Sequence, residues 1–302
     1  MKLSYFQRGI CGALLGGVFL ASNLPTKQLL TQTDPISSMT SLHPDTAPCI
    51  RSAVCSIPHP QKAYKGGEDN SAQKALMVAV ADGVGGWASR GVDPAVYSNE
   101  LCRNLEAVFE ERGPALACIE LFAEAARRST STGSSTLVVG VLDAQANEID
   151  MCLLGDAGYM LVRPEGDSLS LLYRSKDQVF SFDFPFQCGT NGNSPHESAQ
   201  TRHAVRNGDL VVLGSDGVWD NLYDEMVLDT VRGVVGRNRK GAHADVDALA
   251  RAVADEAFRY SQMADYVSPY EKGAKASGKP KYEKHRGGKE DDITVLVGEI
   301  VL

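Results

Sequence analysis

Residues Ala75–Trp87, ALMVAVADGVGGW, form an apolar run that stops at an aspartate followed by glycines. Met77 through Ala81 contain no polar residue, the pattern of a strand buried on both faces. Asp82 therefore stands at the C-terminal end of that strand with its carboxylate rigidly presented. Gly83, Gly85 and Gly86 allow a tight turn and a close approach of backbone to a ligand, and they leave a carbonyl oxygen beside the carboxylate. That donor pair suits a hard cation.

The construction recurs. Asp209–Asp220, DLVVLGSDGVWD, is a second apolar strand ending in Asp-Gly, and Asp291 and Asp292 stand directly before a third, ITVLVGEIVL. Three strand-end aspartates far apart in sequence can converge on one rim of a sheet. Mg²⁺ or Mn²⁺ would take their oxygens in octahedral geometry. A single Asp-Gly carries little by itself, since the dipeptide is also a common turn signal.

Composition narrows the class. Hydrophobic residues make up 43% of the 302, enough for an ordinary globular core, and motifs from Glu68 to Asp291 favour one domain over residues 53–302. A formal net charge of -8 argues against nucleic acid as a partner, because phosphate backbones select basic surfaces. Seven cysteines without a CxxC give neither a disulfide framework nor a zinc knuckle, which points to a reducing compartment. Residues 1–33 hold Lys2, Arg8 and Lys27 and no acid, and their apolar stretch Gly9–Ala21 is short for a membrane span. They read as a targeting segment, either a mitochondrial presequence or a secretory signal, with an uncleaved membrane anchor as a third reading. Residues 34–52, rich in Ser, Thr and Pro, read as a linker.

Helical spacing is predicted over Pro94–Glu111 and Pro114–Arg128, and again over Asp224–Val235 and Asp245–Gln262. Between the pairs, TLVVGVLDA, EIDMCLLGD and YMLVRPEGDSLSLLYRS read as an antiparallel meander from Thr136 to Ser175. Ser181–Ser198 reads as an irregular loop, entered through Phe180, Phe182, Phe184 and Phe186. Those rings suit either core packing under the loop or a substrate rim. Lys272–Lys289, KGAKASGKPKYEKHRGGK, reads as a flexible basic segment: a solvated loop, or a positive field that draws acidic substrates to Asp291. Antiparallel strands and paired helices together fit an α+β fold of two sheets packed face to face and covered by helices.

Six motifs in order now carry a resemblance: GGEDN (Gly66–Asn70), VADGVGGW (Val80–Trp87), TGSST (Thr132–Thr136), GDAGY (Gly155–Tyr159), SDGVWDN (Ser215–Asn221) and DDITVLV (Asp291–Val297). The chain resembles the metal-dependent protein phosphatases of type 2C, and DGVGGW with RGGKEDDITVL resembles their mitochondrial branch. The resemblance implies a four-layer αββα sandwich and a serine/threonine phosphatase acting on phosphoproteins. It implies two Mn²⁺ or Mg²⁺ ions bridged by Asp82, with the Gly83 carbonyl, Asp216 and Asp291 completing their shells and a bridging water as nucleophile. Glu68 and Asp69 match acids that hold metal-bound waters, and Asp156 and Asp220 match a third, weaker metal position. A monomer without stable membrane insertion of the mature domain is expected, delivered to the mitochondrial matrix after N-terminal cleavage, with the secretory pathway or a membrane anchor as the alternative.

The residues themselves agree with a metal route. No cysteine is followed six positions on by arginine, no DxDx(T/V) occurs, and the histidines lack metal-ligand spacing. Two positions depart from the family pattern: Val84 stands where a histidine proposed as general acid is usual, and Tyr64 where a phosphate-binding arginine is usual. Lys62 and Lys65 are the nearest substitutes, as point charges without a guanidinium's fork. The departures leave a catalytically impaired phosphoprotein-binding module as the alternative, and a β-sandwich stabilised by a structural calcium ion as a further rival.

Overall fold

The computed structural model describes residues 47–166, 168–236 and 243–302. In chain order its elements are β1 (Cys49–Ile57), β2 (Asp69–Lys74), β3 (Met77–Asp82), α1 (Pro94–Arg112), α2 (Cys118–Arg128), β4 (Ser134–Ser135), β5 (Leu137–Asp143), β6 (Glu148–Leu154), β7 (Gly158–Glu165) and β8 (Ser168–Arg174). They continue with β9 (Val179–Ser181), β10 (Phe184–Pro185), β11 (Cys188–Gly189), β12 (Ala199–Ala204), β13 (Leu210–Gly214), α3 (Asp216–Trp219), α4 (Asp224–Val235), α5 (Val246–Ser261), α6 (Pro269–Ala276) and β14 (Ile293–Val301). The expected targeting segment, residues 1–33, and most of the expected linker lie outside the described residues.

Two five-stranded antiparallel sheets, ordered β1-β14-β13-β7-β8 and β12-β6-β5-β3-β2, form the centre. Val78, Val80, Val138 and Leu153 of one sheet meet Tyr159, Leu161, Leu213 and Leu296 of the other in a buried layer. The opposite face of the second sheet is covered by α1 and α2 through Tyr97, Leu101, Leu105 and Phe122. On the first sheet the cover is α4 and α5, with Val227, Val231, Leu249 and Val253 packed on Val212 and Val297. The result is the αββα sandwich. All nine residues of β14 are buried, as expected of a strand with neighbours on both edges and apolar layers on both faces.

Local chemistry sets the helix ends. Asp93 caps α1 by accepting from the Ala95 N–H, Pro94 occupies the first turn, and the helix stops at Gly113. α2 starts at Cys118, later than the periodicity suggested, where the Cys118 N–H donates to Asp150 Oδ2 at 3.3 Å and ties the helix to β6.

Three readings change. The expected meander is split: β5 and β6 pair in one sheet, β7 and β8 in the other, and Gly155–Ala157 cross between them. Gly155 makes the crossing with φ 107, and a Cβ there would lie 2.6 Å from Thr136 Cγ2. A period-2 pattern marks a strand without saying which sheet receives it. β1 begins at Cys49, inside the expected linker, and zips along β14 from Cys49↔Val301 to Ile57↔Ile293. The basic segment is built rather than loose. It contains most of α6, its Tyr282 packs with Tyr270 and Phe182, and Lys279 Nζ donates to Ser181 Oγ at 2.7 Å.

Leu296 is fully buried between the sheets. Leu296→Ala should cost about 2–5 kcal/mol through lost burial and a cavity, whereas Val54→Ala on the exposed edge of β1 should stay within about 0.5 kcal/mol, both read from urea midpoints.

Candidate metal centre

The acids gather because strand ends gather. β3 ends in Asp82, β13 runs into α3 at Asp216, β14 begins after Asp291 and Asp292, and the crossing turn from β6 to β7 carries Asp156. Asp82, Gly83, Asp156, Asp216 and Asp291 line one cavity of about 570 Å³, together with Lys62, Glu68, Trp87, Arg90, Phe184, Lys281 and Lys289. Asp69 stands opposite Asp82 in the β2–β3 register, and Asp220 closes the C-terminal end of α3. Every acid singled out from the sequence is thus at one rim. Gly83 belongs there for a steric reason: a Cβ would meet the Pro94 carbonyl oxygen at 2.6 Å and the Glu68 carbonyl oxygen at 2.8 Å.

Crowding raises the acids. Burial, then the carboxylates of Asp69, Asp216, Asp291 and Asp156, push Asp82 well above the usual carboxylate range. Burial and Asp216 do the same to Asp156. Asp69 is pushed up to about 8 by burial and by Asp292, Asp216 and Asp291, and Asp220 to about 7 chiefly by burial. Both Asp69 carboxylate oxygens are shut off from solvent and accept no hydrogen bond. A set of half-buried carboxylates, with both oxygens of Asp69 orphaned, lacks positive charge, and oxygen-ligated divalent ions fit that donor set.

Two lysines supply part of the charge. Lys289 Nζ lies 2.6 Å from Asp216 Oδ2, 2.7 Å from Asp220 Oδ2 and 3.0 Å from Asp291 Oδ2. Burial disfavours its charge, but these carboxylates outweigh burial and hold the ammonium protonated. Lys62 Nζ lies 2.7 Å from Glu68 Oε2 and 3.0 Å from Asp292 Oδ2. Asp291, flanked by both lysines, is drawn below the usual range despite its burial.

Of the two suggested substitutes for the missing arginine, Lys62 reaches the cavity, while Lys65 is bound to Glu68 Oε1 at 2.8 Å and Asp93 Oδ1 at 2.7 Å. Tyr64 is 88% exposed and takes no part in the cavity lining. The phenylalanines divide between both readings: Phe182 packs internally, while Phe184 lines the cavity. Of the basic segment's lysines, Lys281 and Lys289 line the cavity. Sequence reasoning missed Lys289, absorbed into that segment, and gave Asp292 no role beyond its place before the last apolar strand. Asp292 Oδ1 accepts from the His59 N–H at 2.7 Å and Oδ2 from the Glu68 N–H at 3.0 Å, which fixes the turn that carries Lys62. The available signal was the run Lys-Glu-Asp-Asp at 289–292, four charged residues set against a wholly apolar strand.

The comparisons with known proteins agree in class. The family model described as stage II sporulation protein E (SpoIIE) matches residues 72–268. Probable protein phosphatase 2C 26 of Arabidopsis thaliana is 32% identical over 260 residues, covering 82% of this chain and 83% of its own. The protein phosphatase PTC7 homolog of Homo sapiens is 30% identical over 240 residues, covering 74% and 75% respectively. Some other plant relatives are longer, and the chain spans 58% or 42% of them. Among solved structures, the photosystem II phosphatase PBCP superposes with a TM-score of 0.72 at 29% identity, over 83% of this chain and 98% of that one. The catalytic domain of the serine/threonine phosphatase PstP, solved with two manganese ions, superposes with a TM-score of 0.57 at 18% identity, over 85% and 100%, a likeness of fold.

Stability of the metal-free protein should depend on pH in a definite direction. Acids raised in the fold keep protons that the unfolded chain has released. Their stabilising contribution is complete below the unfolded carboxylate pKa and is lost as pH rises through the folded values, about 7 for Asp220 and about 8 for Asp69. With chelator present, Tm should fall by at least about 2 °C between pH 6 and pH 8, and Mn²⁺ should raise Tm more at pH 8 than at pH 6. A chelated protein that melts higher at pH 8 would contradict the assigned crowding.

Proposed function

The chain belongs to the metal-dependent protein phosphatase family of type 2C, and from that premise we propose that it dephosphorylates phosphoserine and phosphothreonine in mitochondrial phosphoproteins, using divalent ions held by Asp82, the Gly83 carbonyl, Asp216 and Asp291. It is a serine/threonine protein phosphatase. The observation that carries the site assignment is the meeting of these aspartates from β3, α3 and the start of β14 in one cavity, with carboxylates that burial and mutual repulsion leave short of positive charge. Bound Mn²⁺ or Mg²⁺ would supply Lewis acidity, activating water and neutralising phosphoryl charge.

The chain's own residues do the rest. Asp82 and Asp216 present acceptors from rigid element ends, so little ordering is required on binding. Glu68, held by Lys62 and Lys65, and Asp69, across the ladder from Asp82, back the same wall. Asp156 and Asp220 would serve a third, weaker ion. Arg90, over the Trp87 ring at 5.1 Å, and Lys281 with Phe184 line the outer part of the cavity, where a phosphopeptide's flanks would lie. No histidine lines the cavity among the described residues, in keeping with Val84 at the position where one is usual.

Mitochondrial delivery rests on residues 1–33, basic and free of acids, and on similarity to the PTC7 homolog. No helix among the described residues is long and apolar enough to cross a membrane. We infer a monomer. The impaired-enzyme reading keeps one observation in its favour, the Lys289 ammonium seated on three of the acids.

Hydrolysis decides between them. With a phosphothreonine peptide, turnover should require Mn²⁺ or Mg²⁺, vanish with chelator, and fall more than about 100-fold in Asp216→Ala, since residues that merely orient metal ligands are already worth 10- to 100-fold. A folded wild-type protein without turnover in any divalent metal would establish the impaired module. Charge reversal at Lys281 should raise KM for a phosphopeptide and spare a small aryl phosphate; equal effects on both would remove Lys281 from substrate capture.

A further inference from the structure

Lys289 is fixed at both ends. Its backbone N–H donates to Asn221 Oδ1 at 2.8 Å, and its carbonyl accepts from Asn221 Nδ2 at 2.9 Å. The same amide nitrogen donates to the Gly217 carbonyl at 2.9 Å, so Asn221, fully buried, locks residue 289 to α3. Only the four-carbon stem is left to move. At its tip the ammonium has three N–H donors, and three carboxylates meet it within 3.0 Å: Asp216, Asp220 and Asp291. The Tyr270 ring centre lies 5.0 Å from the same nitrogen. A surface ion pair has neither the pinned backbone nor the saturated head group.

We propose that Lys289 is a tethered counter-cation that holds Asp216, Asp220 and Asp291 together in the metal-free protein and competes with divalent ions for those carboxylates. The inference rests on the phosphatase reading and adds a device that sets how much metal the site demands. A divalent ion carries twice the ammonium's charge and draws on the same Asp216, Asp220 and Asp291 carboxylates, so ion and ammonium repel each other across them. Loading the site therefore favours a lysine drawn aside from the three acids. That displacement is a fixed cost subtracted from the affinity of the ion that takes Asp216, Asp220 or Asp291. The clamp at Asn221 keeps the lysine close enough to return when the ion leaves, and the Tyr270 face gives the displaced ammonium a favourable neighbour. Metal affinity is lowered while the empty cluster is protected from its own repulsion, so the two effects have opposite signs in one residue.

Mn²⁺ titration of the full chain by calorimetry, with Tm followed in parallel, tests this on the wild type and on Lys289→Met, which keeps length and removes charge. The weakest Mn²⁺ step should tighten about tenfold in Lys289→Met, the size of effect typical of groups adjoining metal ligands. The metal-free variant should melt lower than wild type and gain more on Mn²⁺ addition. An isotherm unchanged within about twofold, or weaker binding, overturns the proposal, and it does so without touching the phosphatase reading if Mn²⁺-dependent turnover persists. Absence of Mn²⁺ binding in both proteins overturns the metal-site reading and the proposal with it. Should Lys289→Met fail to fold, the Mn²⁺-loaded wild type decides by crystallography. An ammonium withdrawn from the three acids supports competition, and one still bridging all three beside a full metal complement overturns it.

Discussion

Carboxylates forced together at the rim of a dry sandwich are the constraint on which the rest of the structure turns. β3, β13 and β14, which meet there, are buried along almost their whole length, so the aspartate that ends or adjoins each cannot swing out to water without dragging the strand with it. Burial and then mutual repulsion act on Asp69, Asp82, Asp156, Asp216 and Asp220, and all five hold their protons above the ordinary carboxylate range. The chain answers with two ammonium groups and with backbone N–H donors aimed at Asp292. That answer is partial, because Asp69 keeps two buried oxygens without a donor. Divalent ions bound there would relieve this crowding by the same charge that the proposed chemistry draws on.

Rigidity and reach are divided between two kinds of element. The acids sit on strand ends and a helix start backed by apolar layers, where positions are fixed to the precision of core packing. The groups at the cavity mouth sit on turns: Arg90 ends a short 3₁₀ segment after β3, Phe184 lies on the β9–β10 hairpin, and Lys281 follows α6. The hairpin is held by contacts with the basic segment through Phe182, Tyr270 and Tyr282, and by the Lys279 bond to Ser181. Chemistry is thereby kept on the scaffold, and adaptation to a substrate is left to pieces whose movement costs the core nothing.

Much of this was legible in the sequence, for reasons that differ by residue. Asp82, Asp216 and Asp291 announced themselves because each abuts an apolar run, and a strand's end is fixed by where its hydrophobicity stops. α1 was legible from Asp93-Pro94 at one end, Gly113 at the other and the spacing of Tyr97, Leu101, Leu105 and Val108 between. The division of β5–β6 and β7–β8 between sheets was not legible, since the two hairpins carry the same alternation and only the crossing at Gly155 separates them. Lys289 was hidden by its neighbours: a lysine among lysines reads as solvated, and its burial follows from the distant Asn221, a tertiary contact that no local pattern encodes.

The pairing of β1 with β14 joins residues 49–57 to residues 293–301, so the sheet that frames the cavity closes on its last strand. Asp291 and Asp292 arrive with that strand. A chain made from its N-terminus onward lacks Asp291 in its cavity until residues 291–301 are free to pair, whatever else has already condensed. The acid cluster is therefore a product of two distant stretches meeting: the N-terminal strand must wait for its partner before the carboxylates that face the cavity stand together.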